Sequence, residues 1–172
     1  FEKNNPSNLQ QIVENYSLIH AGDNDICILS YSEKETIFKK GIHVWIKSTD
    51  YENSSLMIML SYIILGHPDW KKAKITIFDI CKKEELEETH EKLHDLVQTG
   101  RLPISPHNIE IISQEANVSP KSLINQKSAD AALTLIGFRS EQLKHDGIDM
   151  FKGYDKVGDI LFVNAHKKRE IE

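Results

Sequence analysis

Residues Lys74–Ile80 read KITIFDI, a run of β-branched and apolar residues with the length of one strand. An amphipathic stretch, KKEELEETHEKLHDLVQTG, follows at residues 82–100, and a second β-branched run, NIEIIS, occupies residues 108–113. A strand, a helix and a further strand in this order form a crossover unit in which the two strands lie parallel. The first run is apolar along most of its length, which is typical of strands covered on both faces. These residues therefore predict a parallel sheet flanked by helices.

The same alternation extends over most of the chain. Further strands are predicted at Asp25–Ser30, Ile42–Lys47, Ala131–Phe138 and Gly158–Ala165, and helices at Asn8–His20, Asn53–Gly66 and Ser119–Ser128. Residues 140–157 are predicted to be helical or irregular. The fold class is therefore α/β, a doubly wound, mostly parallel sheet with helices on both faces, Rossmann-like or universal-stress-like. We expect residues 1–24 to form an N-terminal helical lead-in and residues 25–172 to form a single α/β domain.

Two of the predicted helices differ in how they would be buried. The helix at residues 53–66 is apolar nearly all round, which predicts deep burial. Asn53 or Ser54 could cap its start, and Gly66 would end it. The helix at residues 82–100 has instead one buried stripe, predicted to consist of Leu86, Leu93, Leu96 and Val97.

The composition disfavours several kinds of partner. The 172-residue chain has 21 Lys plus Arg against 26 Asp plus Glu, a formal net charge of -5, whereas nucleic-acid binding needs a concentrated cationic surface. The longest apolar run, Leu56–Leu65, is too short to span a bilayer, so we expect no direct membrane insertion. No signal-type segment or initiator Met is present, which suggests a piece of a longer protein. Cys27 and Cys81 lie in or beside apolar runs, and we expect buried thiols in a reducing compartment.

Residues 90–94 read HEKLH, the H-E-x-x-H pattern of many zinc peptidases. On a helix His90 and His94 would share a face, and Glu91 could polarise a metal-bound water. The amphipathic pattern instead predicts His90 at the edge of the buried stripe, with Glu91 and His94 turned toward solvent.

A catalytic zinc also needs a third protein ligand. The metzincin extension would place a glycine and a histidine where this chain has Val97 and Gly100. Glu110 or Glu115 could supply a later carboxylate, but Glu110 is predicted within a strand and Glu115 in a loop. We therefore favour a solvated helix face over a metal site.

Other candidate chemistry is weaker. Gly147, Gly153 and Gly158 precede the last strand, as phosphate-binding glycines do in universal-stress proteins, but their spacing is neither G-x-G-x-x-G nor a P-loop, so turns are favoured. No G-x-S-x-G elbow is present. Asp50 and Asp79 end strands at the edge where α/β sites lie, where a helix N-terminus or an adjacent Lys is their ordinary partner. We predict no catalytic, cofactor-binding or metal-binding residue.

Four stretches, in this order, resemble the cytoplasmic C-terminal domain of cation-chloride cotransporters, the sodium-potassium-chloride branch especially. They are IFKKGIHVWIKSTD (37–50), LSYIILGHPDWKKAKITIFDI (60–80), KSADAALTLIGF (127–138) and GDILFVNAHKKREI (158–171). Upstream, LIHAGDNDICILSYSE (18–33) is similar to the segment that holds a helix and an Ile/Val-rich strand. The chain departs from the family in having TDYENSS in place of Asp-Asp-Gly-Gly and no prolines at GFRSEQ. It also lacks the large insertion of animal members, which suggests a compact prokaryotic version.

The resemblance implies a non-catalytic regulatory and dimerisation domain of a membrane cation-chloride cotransporter. It would lie on the cytoplasmic side of the cell membrane, bind no cofactor, and contact its own transmembrane transporter domain and a second copy of itself. The alternative is a free-standing universal-stress-like protein that binds ATP. A metallopeptidase is the third hypothesis.

Overall fold

A computed structural model describes residues 1–47, 53–99, 105–114 and 118–166. Its strands are β1 (Ile26–Ser30), β2 (Ile42–Lys47), β3 (Ile75–Cys81), β4 (Ile109–Ser113), β5 (Leu133–Gly137) and β6 (Ile160–Asn164). They form one six-stranded sheet in the order β1-β6-β5-β2-β3-β4. β1 pairs antiparallel with β6, and the other neighbours pair parallel. Every predicted strand is confirmed, with ends that differ by two residues or fewer.

The helices are α1 (Leu9–His20), α2 (Ser54–Leu65), α3 (Leu86–Thr99), α4 (Pro120–Lys127) and α5 (Ser140–Asp146). Residues of α1, α4 and α5 pack in one core cluster, and residues of α2 and α3 pack in a second. Since alternate residues of the same strands enter the two clusters, the clusters lie on opposite faces of the sheet. The predicted doubly wound, mostly parallel α/β sheet with helices on both faces is confirmed.

The two faces of the sheet have different side chains. On the α1-α4-α5 face, Trp45 and Phe78 stack with ring centroids 4.5 Å apart, and Phe151 contacts Phe162 edge-to-face at 4.9 Å. On the α2-α3 face the buried residues are mainly Ile, Leu and Val. Burial of these two layers is the main stabilising term of the fold.

The residues at the helix ends hold the positions that the sequence predicts for them. The hydroxyl of Ser119 accepts a hydrogen bond from the Ser122 amide at 3.2 Å, and Pro120 is the first residue of α4, as the Ser-Pro pair predicts. Asn53 holds the N-cap position of α2, and Gly66 the C-cap position. Gly100, predicted to close α3, lies outside the described residues.

Two burial predictions need correction. Cys81 is buried as predicted, but the Cys27 side chain is exposed. β1 is an edge strand whose burial alternates. Ile26 and Ile28 therefore face the core, and Cys27 between them does not. Deep burial holds for the inner side of α2, whereas Met59 and Ile63 on its outer side are 37% and 65% exposed. No described helix has both the length and the hydropathy to cross a membrane.

Residues at the start of the chain pack on the sheet. Leu9 and Tyr16 of α1 are buried in the same cluster as the inward side chains of β1. The Lys3 ammonium donates to the carbonyls of Tyr154, Val157 and Gly158 at 3.0, 2.5 and 2.8 Å. Burial, with a contribution from Lys34, lowers the pKa of Lys3 to about 8. Lys3 therefore fastens the first residues to the turn before β6.

Candidate functional site

The strand order reverses between β2 and β5. From β2 the chain moves through α2 and α3 to β3 and β4 on one side, and β5 and β6 lie on the other side. α2 and α3 cover one face of the sheet, and α4 and α5 cover the opposite face. The separation of these two layers leaves a crevice at the carboxyl ends of β2 and β5. In open α/β sheets this crevice is where ligands bind. It is the first place to look for a site.

Asn53 occupies this crevice. Its side chain is buried, and its Nδ2 donates to the Phe138 carbonyl, which follows β5, at 2.9 Å. Its Oδ1 accepts from the Ala165 amide, which follows β6, at 2.6 Å. Both ends of the amide thus bind backbone groups. The start of α2 is tied to the ends of two strands from the other half of the sheet.

A hydrogen-bonded chain continues from this point toward α1 and α5. Asn164 Nδ2 also donates to the Phe138 carbonyl, at 2.9 Å, and Asn164 Oδ1 accepts from the Tyr16 hydroxyl at 2.8 Å. The Tyr16 oxygen is 2.7 Å from Ser140 Oγ, which is 3.2 Å from His20 Nε2. A consistent proton assignment runs one way, from the His20 N–H through the two hydroxyls to Asn164 and the carbonyl.

The hydrogen bonds of this network join side chains of α1, α5 and β6. Burial raises the pKa of the Tyr16 phenol, so the hydroxyl stays a neutral donor. His20 stacks on Tyr16 with ring centroids 5.3 Å apart, and its Nδ1 is 3.4 Å from the same hydroxyl. A serine nucleophile needs a base whose second nitrogen is oriented by a partner such as a carboxylate. Here the hydroxyl of Ser140 bridges two side chains, and the network ends on a backbone carbonyl.

His166 extends the network at the end of β6. Its amide donates to Asp25 Oδ1 at 2.9 Å, and its Nε2 is 3.0 Å from Asp23 Oδ1. Its ring lies 5.7 Å from that of His20. The turn between α1 and β1 is therefore fastened to the end of β6.

A second buried polar group lies on the opposite half of the α1-α4-α5 face. Ser128 is fully buried, and its Oγ accepts from the Trp45 indole N–H at 2.8 Å. The same Oγ is 2.9 Å from His43 Nδ1, so the serine hydrogen is available to donate to an unprotonated His43. Burial lowers the pKa of His43, against weaker opposing effects of Asp130 and Glu110. The pairing fixes Trp45 against the end of α4.

The predicted metal motif is spread over an exposed helix face. His90, Glu91 and His94 are all exposed, and His94 Nε2 is 3.3 Å from Gln98 Nε2. The prediction that Glu91 and His94 face solvent is confirmed, whereas His90 is exposed too and not at a buried edge. Leu93 is buried as predicted, and Thr89 lies beside it in the interior. Nothing can be said of the side chains of Leu96 and Val97, which lie outside those described.

Metal-binding side chains do not converge elsewhere in the described ranges, where no group of three His, Cys, Asp or Glu residues could hold an ion. Asp79 is fully buried in β3, in register with Ile46 and Ile111 of the neighbouring strands. Asp50 lies outside the described residues. The two aspartates predicted at the carboxyl edge therefore cannot be placed together.

The three glycines all precede β6 in the chain. Gly158 stands two residues before β6 begins, so it is at the amino end of the strand and far from the crevice. Gly147 and Gly153 have φ values of 54° and 83°, which favour glycine and mark turns. The interpretation of these residues as turn glycines agrees with their backbone.

Of the residues in this hydrogen-bonded network, the sequence predicts a role only for Asn53, as a helix cap. Tyr16 and His20 lie on α1, Ser140 on α5 and Asn164 on β6, so these four residues come from three separate segments. The one local signal for this network is Asn164, a polar residue at the end of an apolar strand.

Comparison with known proteins gives a structural likeness. No family model matches the chain, and no curated protein matches it. The fold is similar to the crystal structure of the cytoplasmic domain of a prokaryotic cation chloride cotransporter, with a TM-score of 0.65 over 97% of this chain and 14% sequence identity. The chain spans 61% of that structure's length. A protein of unknown function from Pseudomonas aeruginosa is similar over 89% of this chain and 56% of its own, with 18% identity and a TM-score of 0.47.

Proposed function

We propose that this chain is a non-catalytic regulatory and dimerisation domain of a membrane cation-chloride cotransporter, on the cytoplasmic side of the membrane. Its partners would be the transmembrane domain of the same transporter and a second copy of the chain. Control would pass through rigid-body contacts between these parts, since allostery needs a two-state element and not a reaction.

The observation that carries the proposal is the fold likeness to a cotransporter cytoplasmic domain over 97% of the chain. At 14% identity this likeness shows the fold alone. It nevertheless gains weight from the sequence, because four stretches resemble the same family in the same order. Two of them contain β2 and β3, and two contain β5 and β6, so the resemblance follows the centre of the sheet.

The hydrogen bonds of Asn53 favour a structural role for this end of the sheet. Asn53 binds the backbone after β5 and after β6 at the place where an α/β enzyme or nucleotide-binding protein would hold its ligand. Side chains of α1, α5 and β6 near it bind one another and the Phe138 carbonyl. Such a network holds elements in fixed relative positions, which suits a domain that transmits force between larger bodies.

Cell fractionation with cysteine labelling tests the proposed location. The complete gene that encodes this chain would be expressed with Cys27→Ser and Glu33→Cys, since Glu33 is exposed in the connector after β1. We expect the product in the membrane fraction, with a membrane-impermeant maleimide reaching position 33 in inside-out vesicles and not in intact cells. The Cys27→Ser protein without the new cysteine is the control for labelling elsewhere. Recovery in the soluble fraction, or labelling of intact cells, would overturn the proposal.

A further inference from the structure

Five lysines lie at one end of the sheet, just before β2 and β3 begin. They belong to the segments IFKKG (37–41) and DWKKAK (69–74), which together contain a single acidic residue. The five are all exposed, and we call them the lysine patch: Lys39, Lys40, Lys71, Lys72 and Lys74. The whole chain has a net charge of -5, so the patch is opposite in sign to the rest of the protein.

The fold holds the two lysine segments side by side. The amide of Ile42, the first residue of β2, donates to the Lys74 carbonyl, just before β3, at 2.9 Å. Gly41 has a φ of 87°, and a Cβ at this position would stand 2.4 Å from the Lys74 carbonyl oxygen, so only glycine permits the approach. The Phe38 and Trp70 rings meet edge-to-face with centroids 5.0 Å apart. The patch is therefore one surface built by the fold.

Most of the positive charge of the patch is not neutralised by the chain itself. Lys40 Nζ binds Asp130 Oδ2 at 2.7 Å. Asp69, the one acidic residue of the two segments, lies 3.5 Å from His67 Nδ1. Among the residues that the structure describes, four lysines of the patch form no ion pair: Lys39, Lys71, Lys72 and Lys74. Their ammonium groups are available to an anionic partner.

Apolar side chains lie among these lysines. Ile37 is 47% exposed, and Phe38 and Trp70 are both half-buried. Aromatic rings, and lysines whose stems run along apolar surface, are the side chains that favour the headgroup layer of a bilayer. An acidic protein segment would need the lysines alone. The combination of unpaired lysines with exposed apolar side chains favours an anionic membrane surface as the partner.

We propose that the lysine patch, together with Phe38 and Trp70, binds the anionic phospholipid headgroups of the membrane beside which the domain lies. This inference rests on the proposed function and adds which end of the sheet faces the bilayer. Each lysine near an anionic bilayer contributes about fivefold in affinity. The same bilayer repels the acidic remainder of the chain, so the patch also sets the orientation.

Co-sedimentation of the 172-residue chain with vesicles tests the inference. We expect binding to equimolar phosphatidylcholine and phosphatidylglycerol, none to phosphatidylcholine alone, and a steep loss as NaCl is raised, because salt screens the attraction. Lys71→Gln with Lys72→Gln should lower the partition coefficient by about 25-fold. A variant that also carries Lys39→Gln and Lys74→Gln should lower it by at least about 100-fold.

The matched control is Lys82→Gln with Lys83→Gln. These adjacent lysines are exposed and follow β3, so they lie at the opposite end of this strand from Lys74. The control removes the same charge as the first variant and should change the partition coefficient by less than about twofold, since its charges lie beyond the range of screened attraction. Circular dichroism melts would verify that all variants fold.

Tryptophan fluorescence gives an independent readout of the apolar contact. The chain has two tryptophans, and Trp45 is buried in the core, so a change in emission reports Trp70. We expect the emission to move to shorter wavelength with anionic vesicles and to be quenched by lipids with brominated acyl chains. An unchanged spectrum with bound vesicles would overturn the role of Trp70.

The outcomes separate this inference from the proposed function. No binding to anionic vesicles, or an equal loss in the patch and control variants, overturns the inference and leaves the transporter location to be decided by fractionation. Binding of poly-glutamate or of a single-stranded oligonucleotide, without binding of vesicles, assigns the patch to another kind of partner and also overturns it. Recovery of the complete protein in the soluble fraction overturns the proposed function even where the isolated chain binds vesicles.

Discussion

The Asn53 side chain donates to the Phe138 carbonyl at 2.9 Å across the point where the strand order reverses. Asn53 stands at the start of α2, in the half of the sheet that continues to β4, whereas Phe138 follows β5 in the other half. One buried amide therefore links the two halves.

Asn53→Ala should lower the free energy of unfolding by about 1–3 kcal/mol, the cost of leaving buried backbone groups without their partner. The Ala165 amide would lose its acceptor, while the Phe138 carbonyl would keep its bond to Asn164. Urea unfolding measures the change. Asn15→Ala, at an exposed position of α1, is the control and should change stability by less than about 0.5 kcal/mol. Equal effects of the two substitutions would show that the hydrogen bonds of Asn53 do not stabilise the fold.

His43 should make the fold less stable in mild acid. Its pKa in the folded protein is lowered by burial, so the unfolded chain binds a proton near pH 6.5, about the ordinary value, before the folded chain does. Stability should therefore be constant with respect to this group above that pH and fall as the pH drops from there to the folded pKa. Urea unfolding at a series of pH values should show a shallower loss for His43→Gln than for the wild type. Asn15→Ala, at an exposed position without a titratable group, should keep the wild-type slope. An identical slope in all three proteins would exclude His43 as the source.

The double variant His90→Ala, His94→Ala should fold with wild-type stability, within about 0.5 kcal/mol, because both side chains are exposed. Leu93→Ala, between them, should cost about 2–5 kcal/mol, since Leu93 is buried in the α2-α3 cluster. Thermal or urea unfolding measures both. Metal analysis supplies the opposing outcome: stoichiometric zinc in the wild type that disappears in the double variant would restore the metallopeptidase hypothesis.

Titration calorimetry with ATP should give no binding heat, since the glycines before β6 have neither the G-x-G-x-x-G nor the P-loop spacing of a phosphate-binding turn. Tight, saturable binding would favour the universal-stress-like alternative. An Asn53→Gly variant sharpens the measurement. Binding that appears only after this substitution would locate the site in the crevice.

The strands and helices could be predicted because their signals are local. KITIFDI and NIEIIS enclose an amphipathic helix, and this pattern alone indicates a parallel crossover. The exposed position of Cys27 was not predictable in the same way. It depends on β1 pairing antiparallel at the edge of the sheet, a partner that no neighbouring residue specifies. The apolar run that suggested burial covers a strand with only one covered face.

The candidate site was harder to predict than the fold. The sequence places Asn53 correctly at the start of α2, but a cap is a local function, and the side chain instead reaches the ends of β5 and β6. Those bonds depend on how two distant segments meet. The HEKLH motif is a local pattern that does not predict a site. Its sequence matches a metal-binding motif, but its histidines and its glutamate are exposed on the outer face of the helix.

Chloride-dependent rubidium uptake tests the central claim most directly. Cells would express the complete gene that encodes this chain, either intact or without residues 1–172, with the amounts in the membrane matched by immunoblot. The account predicts uptake that requires chloride in the intact protein and is largely lost, or no longer regulated, in the deletion. Uptake that does not depend on chloride, or that is the same in rate and regulation for both proteins, would contradict it.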